Sequence, residues 1–126
     1  MDEETINRIK ALNIEDFIWI IYIVIIALSF YSNSIERKYF FYKNNKDKTK
    51  YQQINIIIFS ILLIVYLYFF KSSINDIKNL KKTDSHKKKK LVYMSFLASF
   101  LIAISGFIFL YIAFVDKDLD VELAFN

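Results

Sequence analysis

Three uncharged apolar runs constrain this chain more than any other feature. They occupy residues 17–31, 54–70 and 91–115, and none contains Asp, Glu, Lys, Arg or His. Ten of the fifteen residues in the first run are Ile, Val, Leu or Phe. At about −0.3 to −0.6 kcal/mol each near a helix centre, these ten supply roughly −3 to −6 kcal/mol toward insertion in a bilayer. The second run, of 17 residues, is at the short end of spanning length. The third, of 25, is long enough to span with tilt. A soluble domain mixes apolar and charged residues along its length, whereas here 17 Lys and Arg are confined to the segments between and beside the runs. The expected fold class is all-α, an integral membrane three-helix bundle with short interfacial helical segments. The expected spans are about residues 15–35, 54–70 and 91–115, within a single domain of 126 residues.

The missing residue types narrow the chemistry. With no cysteine there is no disulfide, thiolate or Cys-ligated zinc, and a single histidine, His86, excludes a multi-His metal site within one chain. Proline is absent and Gly106 is the one glycine, so little in the sequence stops a helix once it has started. The 22 Ile, 9 Asn and 15 Lys against 2 Arg reflect A+T-rich codons, which bear on origin and not on mechanism. No cofactor is expected.

Local signals place the helix ends and links. Asn13 is a candidate cap for the first helix, with Glu15 and Asp16 in its positive first turn. Residues 36–44 continue its pattern, with Tyr39, Phe40, Phe41 and Tyr42 at interface depth. In the second link Ile74, Ile77 and Leu80 recur every three residues, as in a short helix lying on a membrane surface with Lys78, Lys81 and Lys82 toward headgroups. Thr83, Asp84 and Ser85 form the break, and Asp84 or Ser85 suits the cap of the third helix. A cleaved signal peptide is the rival reading of the first run, with Ser32 and Ser34 as the small residues. Five acids against Arg8 and Lys10 in residues 1–16 give the wrong sign for its leading segment.

Orientation follows from Lys and Arg beside the spans. The amino segment and residues 71–90 carry 2 and 8, and residues 36–53 and the carboxyl tail carry 6 and 1. Ten against seven favours a cytoplasmic amino terminus, with residues 116–126 outside, in a bacterial plasma membrane. Lys87, Lys88, Lys89 and Lys90 abut the third run and read as a topology anchor touching anionic headgroups. Nucleic-acid binding would need a folded soluble module beside them. Trp19, Tyr66 to Phe70 and Tyr93 fall in one leaflet as an aromatic belt, with Trp19 a surface anchor.

Two helix faces are candidate contact surfaces. At about 100° per residue, Ser95, Ser99, Ala103, Gly106 and Ala113 share one arc of the third helix. Phe96, Phe100, Phe107, Tyr111 and Phe114 lie roughly opposite. Small residues let helices approach closely in lipid, so the small face is expected to pack and the aromatic face to meet lipid. On the first helix Glu15, Trp19, Tyr22, Ser29, Asn33 and Glu36 form a sparse seam, of which only Tyr22 and Ser29 lie deep. A polar transport pathway would place an ionisable group inside a span, and none is there, so a contact seam is the expected reading. Asp116, Asp118, Asp120 and Glu122 make an acidic tail that lacks the glycine turn and ligand number of a calcium loop. Leu119, Val121, Leu123 and Phe125 alternate with them, a pattern suited to strand addition onto a partner.

Residues 12–36 (LNIEDFIWIIYIVIIALSFYSNSIE) resemble the first span of small multi-spanning membrane proteins of low-GC Gram-positive bacteria, through the EDFIWII start and the YSN end. The resemblance covers about a fifth of the chain and implies no activity and no site. The leading expectation is a non-enzymatic accessory, scaffold or self-associating subunit whose partners are the bilayer and a second copy or another membrane protein. A bacteriocin-immunity-type protein is the alternative, and a pore-forming holin ranks lower because three-span holins usually end in a basic tail.

Overall fold

The computed structural model describes residues 2–121 as three long helices, α1 (Glu3–Tyr42), α2 (Asn45–Lys78) and α3 (His86–Val115). Each is long and apolar enough to cross a membrane, the arrangement of a multi-pass membrane protein. At 1.5 Å per residue they run about 60, 51 and 45 Å, all beyond the roughly 30 Å of a hydrocarbon core. The helices therefore continue into the segments between the apolar runs. The repeat of Ile74 and Ile77 belongs to the last turns of α2, with Leu80 just beyond, so the expected surface helix is an extension of a span. The absence of Pro, and of Gly outside position 106, explains this: nothing breaks the backbone where the apolar run ends.

The helix ends are set by side-chain caps. Asp2, not Asn13, caps α1, accepting the Thr5 amide at 2.8 Å with Glu3 and Glu4 in the first turn. Asn13 lies inside the helix because the sequence upstream already supplies a better start. α1 ends at Lys43, in left-handed conformation with φ 55°, whose amide reaches the Tyr39 carbonyl at 2.6 Å. Asn44 then caps α2 by accepting the Lys46 amide, so two residues turn the chain around. The link 79–85 is longer. There Asp84 accepts the Lys81 amide at 2.7 Å and Ser85 caps α3 through the Lys88 amide at 3.1 Å.

α2 is the central helix. It packs on α1 and on α3, while among the described residues α1 and α3 bring no pair of Cα atoms within 8 Å. The core consists of Ile25, Ile58, Phe59, Leu62 and Ala113, with Phe109 stacked on Phe59 at 5.7 Å between centroids. On α1 the buried strip is Ile18, Ile25, Ser32 and Ile35, spaced by sevens and a three, the periodicity of a helix-contact seam. It lies beside the polar seam expected from sequence. Tyr22, Ser29, Asn33 and Glu36 are half-buried at its edge, and Glu15 and Trp19 are exposed. Close packing together with the buried Ser32–Asn55 bond selects this strip, because packing and interhelical hydrogen bonds both drive helix contact in lipid.

Candidate functional site

Because α1 and α3 diverge across α2, they leave a groove between them, floored by α2. Tyr66, Phe69, Ser73 and Asp76 follow one another along that floor at intervals of three and four residues, with Ser72 beside them, and Ser95, Ser99 and Ile102 form the α3 wall at similar intervals. Tyr22 contributes from α1, and together these residues enclose about 310 Å3. A second, shallow depression of about 360 Å3, open to the surface between α2 and α3, adjoins it toward the 79–85 link and shares the exposed Asp76 and Ser95. It is lined further by Ser85, Lys87, Lys88, Leu91 and Val92. Both fall at the small end of the roughly 300–1,000 Å3 typical of ligand pockets.

Depth along the bundle is fixed by the antiparallel pairing. Phe70 of α2 lies against Phe96 and Phe100 of α3, at 5.5 and 5.8 Å between ring centroids. Gly106 sits lower, against Tyr66 and Leu63. The groove thus runs from the basic link down to the level of Tyr22 and Tyr66. Below that level the apolar core of Ile25, Ile58, Phe59 and Leu62 closes it. On the far side of this plug Ser32 donates to Asn55 Oδ1 at 2.9 Å, both buried. Still further along, Gln52 Nε2 donates to the carbonyls of Ala113 and Phe114 at 3.4 Å, serving two of the last carbonyls of α3.

Electrostatics at the groove mouth run against the helix dipole. Lys87, Lys88, Lys89 and Lys90 form the first turn of α3, which has no acid of its own. A cation in a positive first turn costs about 0.3–1 kcal/mol at an exposed position. Partial relief comes from Asp84, whose Oδ1 meets Lys88 Nζ at 3.3 Å, and from the Lys82 carbonyl, which accepts from Lys89 Nζ. The Lys81 amide, and then Lys88, hold the Asp84 carboxyl below its ordinary value. Among the described residues no such contact involves Lys87.

The small-residue arc of α3 divides into two parts. Ala103, Gly106 and Ala113 are its three buried residues and pack on α2. A Cβ on Gly106 would lie 2.9 Å from Tyr66 Cδ2 and 3.1 Å from Leu63 Cδ1. Ser95 is exposed and Ser99 half-buried, and both line the groove. The aromatic arc divides too. Phe107, Tyr111 and Phe114 are exposed, while Phe96 and the partly covered Phe100 lie tilted against Phe70. Trp19 is exposed, edge-on to Tyr22 at 5.5 Å, and Ser29 is half-buried.

Sequence reasoning passed over Asp76, Ser72, Ser73 and the Ser32–Asn55 pair. Asn55 carried a signal, being the one amide inside the three apolar runs, but its partner depends on how α1 and α2 are aligned. Asp76 sits in a helix extension that pattern alone treated as surface. Beyond α3, Asp116 accepts the amides of Asp120 and Val121 at 2.9 and 2.8 Å, folding the start of the tail into a turn. Leu119 and Val121 are therefore not in a strand. Glu122, Leu123 and Phe125 lie outside the described residues, and among the described residues no group of His, Asp and Glu is gathered for a metal. Comparison with known proteins found no matching family model, no matching curated protein and no matching solved structure.

Proposed function

We propose that this chain is a non-enzymatic, self-associating scaffold subunit of a bacterial plasma membrane, with its amino terminus in the cytoplasm. The reading rests on one observation, an acidic arm and a basic face at the same end of the bundle. Residues 2–17 are all exposed, and they hold Asp2, Glu3, Glu4, Glu15 and Asp16 against Arg8 and Lys10. Residues 71–90 carry eight lysines against Asp76 and Asp84 at that end. Of these charges, the ion pairs among the described residues join only Lys88 to Asp84. Opposite charge that goes unused within one copy is available between two copies lying side by side in a bilayer. The polybasic turn from Lys87 to Lys90 then serves as the positive-inside anchor beside anionic headgroups, and association uses the more distal Lys78, Lys81 and Lys82. The apolar plug below Tyr22 and Tyr66 speaks against a conduit through a single copy, which lowers the pore reading.

The chain has no cysteine, so introduced pairs report cleanly. Glu4→Cys and Lys82→Cys variants, co-expressed and oxidised in membranes, should form a mixed dimer that weakens as salt rises and screens the pairing. Glu4→Cys with Lys43→Cys, at opposite ends, should not. Equal cross-linking of both pairs, or none of either, would remove the self-association reading.

A further inference from the structure

We infer that the groove along the α2–α3 contact, with Tyr22 of α1 at its lower end, is a binding site for one phospholipid whose headgroup carries both a phosphate and a primary amine. Charges of both signs line the open depression between α2 and α3. Lys87, Lys88, Ser85 and Ser95 offer ammonium and hydroxyl donors, while Asp76 offers a carboxylate. A purely anionic headgroup would leave Asp76 facing like charge, and a purely cationic ligand would meet Lys87 and Lys88. A phosphate joined to an ammonium satisfies both, with the phosphate toward Lys87, Lys88 and the positive amino end of α3, and the amine toward Asp76. Basic pockets between membrane helices are recognised headgroup sites, and the carboxylate adds selectivity to this one.

The rest of the groove suits the rest of such a molecule. The adjoining cavity continues from Asp76 past Ser72, Ser73, Ser95 and Ser99, hydroxyls at the depth of a glycerol ester region. It ends on Phe69, Tyr66 and Ile102, where an acyl chain would lie along the α2–α3 contact. The depth agrees with the aromatic residues nearby: Trp19 and Tyr93 are exposed at this end, as interface residues are. The apolar plug stops the groove halfway, so it opens to one leaflet only, as a lipid site requires and a solute path does not. This site does not depend on self-association, which uses the exposed arm and the distal lysines.

Trp19 is the chain's one tryptophan and touches Tyr22, a residue of the groove wall, so its fluorescence reports occupancy. The full chain in neutral detergent would be titrated separately with dihexanoyl phosphatidylethanolamine, dihexanoyl phosphatidylglycerol and inorganic phosphate. Saturable binding is expected for the ethanolamine lipid, tighter than for the glycerol lipid, with phosphate alone ineffective at equal concentration. Asp76→Asn should invert the preference between the two lipids. Lys87→Gln should weaken the ethanolamine lipid about fivefold, the worth of one lysine near an anionic group. Lys46→Gln, at the opposite end, should leave binding unchanged, and unchanged helicity by circular dichroism would show that each variant folds. Equal binding of both lipids, an Asp76→Asn variant with unaltered preference, or phosphate competing as well as the lipid would each overturn the assignment.

Discussion

Against α3, the central helix is packed by aromatic rings and by side chains pressed onto Gly106; against α1, it is held by isoleucines and one buried hydrogen bond. The α3 side contains Phe59 on Phe109, Phe70 on Phe96 and Phe100, and Gly106 against Tyr66 and Leu63. The α1 side contains Ile18, Ile25 and Ile35 with the Ser32–Asn55 bond. One interface depends on shape, since a single added carbon at Gly106 meets a ring. The other depends on a polar group finding its partner in an apolar setting. The connections differ in the same sense. Two residues join α1 to α2, whereas seven, held by Asp84 and Ser85, join α2 to α3.

The contrast is open to direct attack. Gly106→Leu should be the most damaging single change, at about 1–3 kcal/mol of overpacking, and should separate α3 from α2 while α1 stays docked. Denaturation in a mixed-detergent titration, with a cross-link reporting each interface, measures it; an unchanged midpoint would mean the α3 side is not shape-limited. Asn55→Leu should cost less, about 0.6–1.7 kcal/mol, the range for polar contacts between membrane helices. Ser32→Ala combined with Asn55→Leu should be no worse than Asn55→Leu alone if the bond is what matters, and a strictly additive pair would refute that.

Smaller effects should separate the two connections. Lys43 is the left-handed residue at the end of α1, so Lys43→Gly should raise stability by up to about 1 kcal/mol, offset in part by lost ring contacts to Tyr39 and Phe40. The same substitution at Asn79, whose φ is −90°, has no left-handed strain to relieve and should not stabilise. The last effect depends on pH. Asp84 has a folded value below its ordinary 3.8, so its contribution is present above 3.8 and lost as pH falls through the depressed value. Lys48 meets Asp118 at 3.0 Å, which with Asp118's charge raises it above its ordinary 10.5. Its contribution is full below 10.5 and disappears as pH rises past the elevated value. Amide exchange at Lys81 should therefore quicken only in acid, and release of the turn around Asp118 should occur at high pH. Both contacts are exposed, so neither should move the overall unfolding midpoint measurably.

Much of the architecture was written in residue order. Three uncharged runs required three helices, and the lack of proline, or of any glycine where those runs end, let the helices run past the apolar segments. A cap at Asp84 or Ser85 was legible from their place before a helical run, and the structure uses Ser85. Asn13 misled for the same reason, since a capping residue type is not a cap when Asp2 has already started the helix. The arc of Ser95, Ser99, Ala103, Gly106 and Ala113 could be drawn from spacing, but only the last three of these are buried.

What the sequence by itself determined is therefore the number of helices and the residues each keeps in an apolar setting. Periodicity acts within one helix, and hydropathy acts between that helix and its solvent. Only the tertiary structure decided that α2 lies between the other two, that Ser32 meets Asn55, and that Asp76 joins Lys87 and Ser95 around one groove. Those outcomes depend on the relative height and rotation of separate helices. Side-chain shape at the contact sets both, and no pattern along a single helix records them.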